Sequence, residues 1–399
     1  MNGQGVTSIG KDRRNLLSNL GILALCAPLV IVMIAYDTAA ARQILSVQPF
    51  GIDFLPMWTA AHGLGSAQAP APYDAEAISR AQDWLLGASH KLRPWVYPPS
   101  ALLLLAPFGW LGFWAAAAAW TGVSLAASAV AARTTGAPWL ALALSWCVPA
   151  TAIALLAGQI TLIVAGLSLA AIGLSRERPV IAGVLLGLAA CLKPPSLIMA
   201  PVALLALRAY RPLIAAGITA ILVALASVVT TGMDAWFQWL AALGRFSRLV
   251  FDDRSLVERM ITPLSFIHLH TSRSEILLPC QCAFTVLGGL FAWTLSRRGD
   301  PRSAFVGMVG GSLIATPYAM QYDAASLALP VTTLLVASRT LPSAARASGM
   351  LLLLALTAIP NLGALAAAAV LLALLLVELR QRAAAADAKP PALASGSPA

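Results

Sequence analysis

The sequence predicts an all-α, polytopic membrane protein of about ten to twelve transmembrane helices, with outer-face loops carrying interfacial helices. Three observations predict it. Of 399 residues, 59% are hydrophobic and 11% charged. A soluble chain carries about 25% charged residues, so this one has more apolar surface than a water-soluble core can hide. Uncharged runs recur along the chain, many long enough for a helix at about 1.5 Å per residue to cross a hydrocarbon core of about 30 Å. Placed on that layout, the cytoplasmic pieces hold 16 of the 26 Lys and Arg and 5 of the 16 Asp and Glu, a net +11. The opposite side holds the remaining 10 and 11, a net −1. This asymmetry is the positive-inside pattern, and it accounts for the overall +10 without nucleic acid as a partner.

The first span is expected in the uncharged run Asn15 to Tyr36, behind Lys11, Arg13 and Arg14, which keep the N-terminus cytoplasmic. A secretory signal is the other reading of this run, with Ala39, Ala40 and Ala41 as small residues after it. Signal cores are about 7–15 residues, so a retained span is expected. Residues 37–100 are too polar for lipid. Within them Ile78, Ala81 and Leu85 fall at helical spacing after Asp74, an N-cap candidate, which predicts a helix on the membrane surface over Asp74 to Leu86. Ala101 to Ala132 is uncharged over 32 residues, too long for one crossing; Pro107, Gly109 and Gly112 divide it into a dipping segment and a span from Phe113 to Ala132.

Between Arg133 and Arg176 lie 42 uncharged residues, read as two spans turning at Gly158-Gln159. The uncharged arms on either side of Lys193, the second opening with Pro194-Pro195, have 14 residues each, too short for two straight crossings, so a hairpin with a broken tip at membrane depth is expected. Further runs are Pro212 to Met233, Ile276 to Ser296, Ser303 to Tyr322, Ala324 to Ser338, and Ala347 to Val377, the last split by Pro360-Asn361. Residues 1–382 thus read as one integral-membrane unit, and 383–399 as a disordered cytoplasmic tail.

No cysteine or histidine cluster has metal-ligand spacing, and His268-Leu269-His270 has no third ligand nearby, so no metal and no disulfide framework are expected. The absence of a GxxxxGK[ST] loop argues against ATP-driven pumping, and the absence of a GxSxG elbow against a serine hydrolase. The glycine pairs Gly183/Gly187 and Gly307/Gly311 read as sites of close helix approach.

Polar residues that are costly beside lipid are the informative ones, and they cluster on the outer side. Asp53 follows the first span among apolar neighbours, with no adjacent cation in sequence. Such surroundings raise a carboxylate's proton affinity and suit it to act as a general base; an ordinary interfacial Asp or helix cap is the other reading. Lys193, between apolar arms and beside two prolines, calls for an anionic partner or water, or else snorkels to the headgroups. Gln159 and Asp323 mark outer ends of spans, where they are either functional or turn residues. Arg245, Arg248, Arg254 and Arg259 share an outer segment with four acids; most of it reads as a solvated face, in which an arginine can still bind phosphate.

Asp53-Phe54, Ala60-Ala61, Tyr73-Asp74, Tyr97-Pro98-Pro99, Gly158-Gln159, Lys193-Pro194, Pro317-Tyr318 and Tyr322-Asp323 follow one another in an order that resembles glycosyltransferase family 87, a GT-C-type family of polytopic enzymes that includes mannosyltransferases. The resemblance runs from about Asp53 to about Ser338. It implies a sugar donor carried on a polyprenyl phosphate, a glycan or glycolipid acceptor, an active site on the outer (periplasmic) face of the cell membrane, and inverting transfer without nucleotide or obligatory metal cofactor. Asp53 matches the family's first-loop aspartate and inherits the role of base. Lys193, or an arginine of the second outer segment such as Arg245 or Arg248, would meet the leaving phosphate, with Gln159, Tyr97, Tyr318, Tyr322 and Asp323 as further substrate contacts. Some family members carry histidine in the late motif, where this chain has Tyr318, Gln321 and Asp323. The other classes open to such a chain are a flippase or transporter of lipid-linked sugars, motivated by the broken hairpin at Lys193, and a polysaccharide polymerase or ligase.

Overall fold

A computed structural model describes residues 4–64, 71–87, 93–297 and 300–387. Apart from one antiparallel bridge between Met260 and Met320, the described residues form helices and turns. The first helix, α1 (Gln4–Val47), includes the apolar stretch Ala24–Ser46. The short α2 (Leu55–His62) is buried against α4, introduced below. Helix α3 (Ala75–Leu86) begins where the sequence predicts: the Asp74 carboxylate accepts from the backbone N–H groups of Glu76 (3.1 Å) and Ala77 (3.0 Å), and Gly87 ends the helix at φ +68°. Its buried face carries Ile78 and Gln82, while Trp84 projects outward. The run after Ser100 divides as expected into a dipping helix, α4 (Pro99–Gly109), and a full-length one, α5 (Phe113–Thr134).

The next region departs from two simple spans. Its first half is broken into α6 (Trp139–Trp146) and α7 (Pro149–Ala157), which meet at 67°. Pro149 has no N–H to continue α6 and is pre-set to start a new helix. Helices α8 (Thr161–Leu174) and α9 (Pro179–Leu192) follow; then comes the broken tip expected at Lys193, a 3-10 turn Pro194–Leu197 leading into α10 (Ala200–Ala206). Helix α11 (Tyr210–Thr231) is long, apolar and largely uncovered by protein. Gly232 turns the chain into α12 (Met233–Asp252), an amphipathic helix where a mostly solvated face was expected. Two short helices, α13 (Arg254–Val257) and α14 (Pro263–His268), lead to α15 (Ser274–Ser296) and α16 (Pro301–Ala315). A 3-10 turn Gln321–Leu327 precedes α17 (Ala328–Val336), α18 (Leu341–Leu356) and α19 (Gly363–Asp387). The last helix runs past the tail boundary expected at Arg382, and residues 388–399 lie outside the described ones.

Among the described residues, five helices are individually long and apolar enough to cross a membrane, and the bent α6–α7 pair makes a sixth if counted as one span. Other expected crossings fall on short apolar helices, among them α8, α9 and α18. At 14 residues, α8 and α9 each reach only about 21 Å. Their far ends meet at the site described below. At the opposite end, Gly173 of α8 packs on the backbone of Thr134, Arg302 donates to the Thr135 carbonyl at 3.3 Å, and Ser303 donates to Glu378 at 2.9 Å. Residues expected on the cytoplasmic side therefore share one end of the bundle.

With lipid around them, helices associate chiefly through close packing, and small residues allow it. Gly183 and Gly187 bring α9 against α11, where a Cβ on Gly187 would lie 2.7 Å from the Ala216 carbonyl. Gly307 and Gly311 do the same for α16 on α15; a Cβ on Gly311 would lie 2.5 Å from the carbonyl of Gly288. We expect Gly311→Leu to force α15 and α16 apart at a cost of about 1–3 kcal/mol. Unfolding in detergent at unchanged stability would show that the two helices do not pack backbone to backbone.

Candidate active site

Asp53 lies in the short turn between α1 and α2, and the end of α7 holds this turn in place. Gly158 takes the left-handed conformation (φ +73°) that terminates α7, leaving carbonyls of the last turn without partners inside the helix. Leu156 O accepts from Gly51 N–H at 2.9 Å, and Ala157 O accepts from Asp53 N–H at 2.8 Å and Phe54 N–H at 3.2 Å. Phe54 is fully buried, its ring stacked 5.1 Å from Trp120, whose indole N–H donates to the Gly158 carbonyl at 2.9 Å. A Cβ at position 158 would stand 2.7 Å from the Phe54 Cβ, so both the backbone conformation and the space require glycine.

Held this way, the Asp53 carboxylate is engaged on both oxygens. Gln159 Nε2 donates to Oδ2 at 2.8 Å, and Arg93 forms an ion pair with Oδ1. No cation adjoins Asp53 in sequence; the one that it meets comes from a loop 40 residues away. The other arm of the Arg93 guanidinium donates to Gln48 Oε1 at 2.9 Å. The Arg93 segment is fixed from behind by Gln82, which donates to the Arg93 carbonyl at 3.1 Å, by Trp239, which donates to the Val96 carbonyl at 3.2 Å, and by the Tyr73 hydroxyl on the Tyr97 carbonyl at 2.8 Å.

Lys193 does not snorkel. Its ammonium pairs with Asp323, with 13% and 6% of the two side chains exposed, and sits 5.5 Å from the centroid of the Tyr322 ring. Thr161 at the start of α8 donates to the same Asp323 oxygen at 2.7 Å. The second carboxylate oxygen accepts from the Met320 N–H at 3.0 Å, so one aspartate caps the 3-10 turn and ties together α8, the broken tip of α9 and the late motif. The late motif is fixed in turn by pairing with the segment before α14: Ile261 N–H donates to Ala319 O at 2.9 Å and Gln321 N–H to Arg259 O at 3.0 Å.

These groups face one cavity of about 1690 Å³. Asp53, Tyr97, Gln159, Lys193, Tyr318, Tyr322 and Asp323 all line it, together with Arg93, Arg254 and Arg259. Tyr36, Ala40 and Ile44 of α1 and Leu243, Phe246 and Leu249 of α12 contribute apolar wall. Burial, reinforced by the negative charge of Asp53 and Asp323, pushes the Tyr97 and Tyr322 hydroxyls well above the ordinary phenol range, and burial raises Tyr318 as well. All three remain protonated donors at any physiological pH. The Oε1 atoms of Gln159 and Gln321 are buried without a hydrogen-bond partner among the described residues, which leaves acceptors for hydroxyl groups at the wall. Arg245 and Arg248 are not part of the wall; Arg245 donates to the Tyr73 carbonyl at 3.3 Å, on the outer side of α12. Arg93 and Thr161 escaped sequence reasoning, although a cation four residues before Tyr97-Pro98-Pro99 was a usable signal for the first. His268 and His270 each contact a backbone carbonyl, of Phe251 and Phe266.

A bundle of apolar helices, several long enough to cross a membrane, around a chamber lined with carboxylates, cations and phenols is that of an integral membrane protein. Over residues 95–320 the sequence matches glycosyltransferase family 87, more than half of the chain, and the protein belongs to that family of membrane glycosyltransferases. No curated protein and no solved structure matches it. The matched stretch holds Tyr97, Gln159, Lys193 and Tyr318; Asp53 precedes it, and Tyr322 and Asp323 follow it.

Breaking a buried ion pair by neutralising one partner costs about 3–5 kcal/mol, because the other charge is stranded. Asp323→Asn should therefore lower stability in detergent by about that amount, and adding Lys193→Met should restore part of the loss. A double variant no more stable than Asp323→Asn would show that the two groups are not coupled.

Proposed function

We propose that this glycosyltransferase moves a hexosyl unit, mannose being the sugar best known in the family, from a polyprenyl-phosphate donor to a hydroxyl of a glycan or glycolipid acceptor, with inversion at the sugar. Asp53 is the general base. The observation that carries this reading is the placement of its carboxylate in a chamber that shares walls with membrane helix α1 and with four cationic side chains. A lipid-borne donor needs both an apolar flank for its chain and positive charge for its phosphate.

In the reaction the acceptor O–H proton passes to an Asp53 oxygen as the acceptor oxygen bonds to the anomeric carbon. The bond from that carbon to the phosphate oxygen breaks, and its electron pair leaves on the polyprenyl phosphate. Lys193, Arg254 and Arg259 offer positive charge toward that departing group, and the Tyr97, Tyr318 and Tyr322 hydroxyls offer hydrogen-bond donors. Gln159 orients the base, and Asp323 orients Lys193. Arg245 and Arg248, outside the wall, are left without a phosphate contact. The charge asymmetry of the sequence supports a chamber on the non-cytoplasmic side with the N-terminus in the cytoplasm.

Incubation of purified protein with polyprenyl-phosphate hexose and a membrane glycolipid extract should release free polyprenyl phosphate. Asp53→Asn should reduce that release by about 10²–10⁴-fold with the fold intact. Turnover retained in a well-folded Asp53→Asn protein removes the base assignment. For the orientation, Arg80→Cys in a cysteine-free background should react with a membrane-impermeant maleimide in intact cells, since that side chain is 71% exposed on α3 beside the chamber. Labelling only after cell lysis would put the site on the cytoplasmic face.

A further inference from the structure

The Arg93–Asp53 pair raises a question that the proposed chemistry leaves open. A carboxylate that must take a proton from an acceptor hydroxyl has a guanidinium on Oδ1 and a side-chain amide on Oδ2. In this arrangement each oxygen already accepts one hydrogen bond, and the one on Oδ1 is an ion pair whose cation competes with an incoming hydroxyl for that oxygen. The two contacts differ in kind. Gln159 follows the rigid left-handed turn at Gly158 and is buried, so its contact is built into the scaffold. The Arg93 side chain is 29% exposed, lies on a loop, and lines the cavity with its second arm on Gln48, an uncharged partner.

The other cation of the inner wall is held differently. Lys193 is bound to a 6% exposed carboxylate that also takes a hydroxyl and a backbone N–H, so moving it would strand a buried charge. Arg93 can exchange its partner at lower cost, and a planar guanidinium matches phosphate oxygens in a two-pronged geometry that an ammonium lacks.

We infer that Arg93 is a switch between two anions: in the empty site it covers Asp53, and on donor binding it transfers to the lipid-linked phosphate, uncovering Oδ1 for the acceptor hydroxyl. Base and phosphate ligand are thereby coupled through one side chain, and the carboxylate becomes available only when a donor is in place. This rests on the proposed polyprenyl-phosphate donor and adds a positioning residue to it. Because the two anions compete for one cation, neutralising Asp53 must strengthen phosphate binding, and it must do so only while Arg93 is present.

The test measures binding of farnesyl phosphate, and of uncharged farnesol as the control, to detergent-solubilised wild type, Asp53→Asn, Arg93→Gln, Arg93→Lys and the double variant Asp53→Asn/Arg93→Gln. Wild type should prefer the phosphate to the alcohol. Asp53→Asn should tighten phosphate binding by about tenfold, the scale of one charge-assisted contact, and leave farnesol unchanged. Arg93→Gln should lose most of the phosphate preference, Arg93→Lys should keep part of it, and in the Arg93→Gln background Asp53→Asn should have no effect. Farnesol binding retained by every variant shows that the fold is intact. If Asp53→Asn leaves phosphate affinity unchanged, or Arg93→Gln keeps the preference, the exchange is overturned while the donor reading stands. Equal wild-type affinity for phosphate and alcohol overturns both.

Discussion

The site depends on the way α7 ends. A left-handed glycine stops the helix, and the carbonyls it leaves open take the backbone N–H groups of the turn that carries Asp53. The same glycine has no side chain to collide with Phe54, so the aromatic stack of Phe54 and Trp120 closes over the junction. A helix terminus, the Asp53 turn and an aromatic plug are thereby one unit. Gln159, the next residue, then falls within reach of the carboxylate without any further adjustment.

The shortness of the surrounding helices follows the same logic. Helices α8 and α9 fall short of a full crossing, and the chamber lies where Thr161 of α8 and Lys193 after α9 meet. Irregular backbone at such a depth is tolerated only where it is buried in protein or borders a wet cavity. Here Lys193 N–H donates to Ala189 O at 3.0 Å and Ser196 N–H to Lys193 O at 3.1 Å, so the break at the two prolines leaves few backbone groups unsatisfied. The Lys193–Asp323 pair then fastens the break to the late motif. A charge that would be expensive in lipid becomes a fastening when its partner is equally enclosed.

Features set by neighbouring residues were legible in the sequence. The Asp74 cap, the division at Pro107 to Gly112, the break at Lys193 and the glycine pairs all depend on residues a few positions apart, and the structure has each where the sequence implied it. The Gly158-Gln159 turn was legible for the same reason. The bend between α6 and α7 was not, because a proline permits a kink without requiring one, and packing decides. The partners of the charged groups were the least legible. Asp53 meets Arg93 across 40 residues and Lys193 meets Asp323 across 130, and no local pattern links them. Reading Asp53 from its neighbours alone therefore gave it apolar company when its company is a guanidinium.

Helix α1 does more than anchor the chain. It packs on α7 and α18, its Tyr36 hydroxyl reaches the Ala358 carbonyl at 3.5 Å, and Tyr36, Ala40, Gln43 and Ile44 face the chamber. Ala40, in the middle of the small residues Ala39 to Ala41 that give this stretch the look of a leader-peptidase substrate, is therefore part of the wall itself. Losing this helix would strip one side from the chamber onto which Asp53 opens.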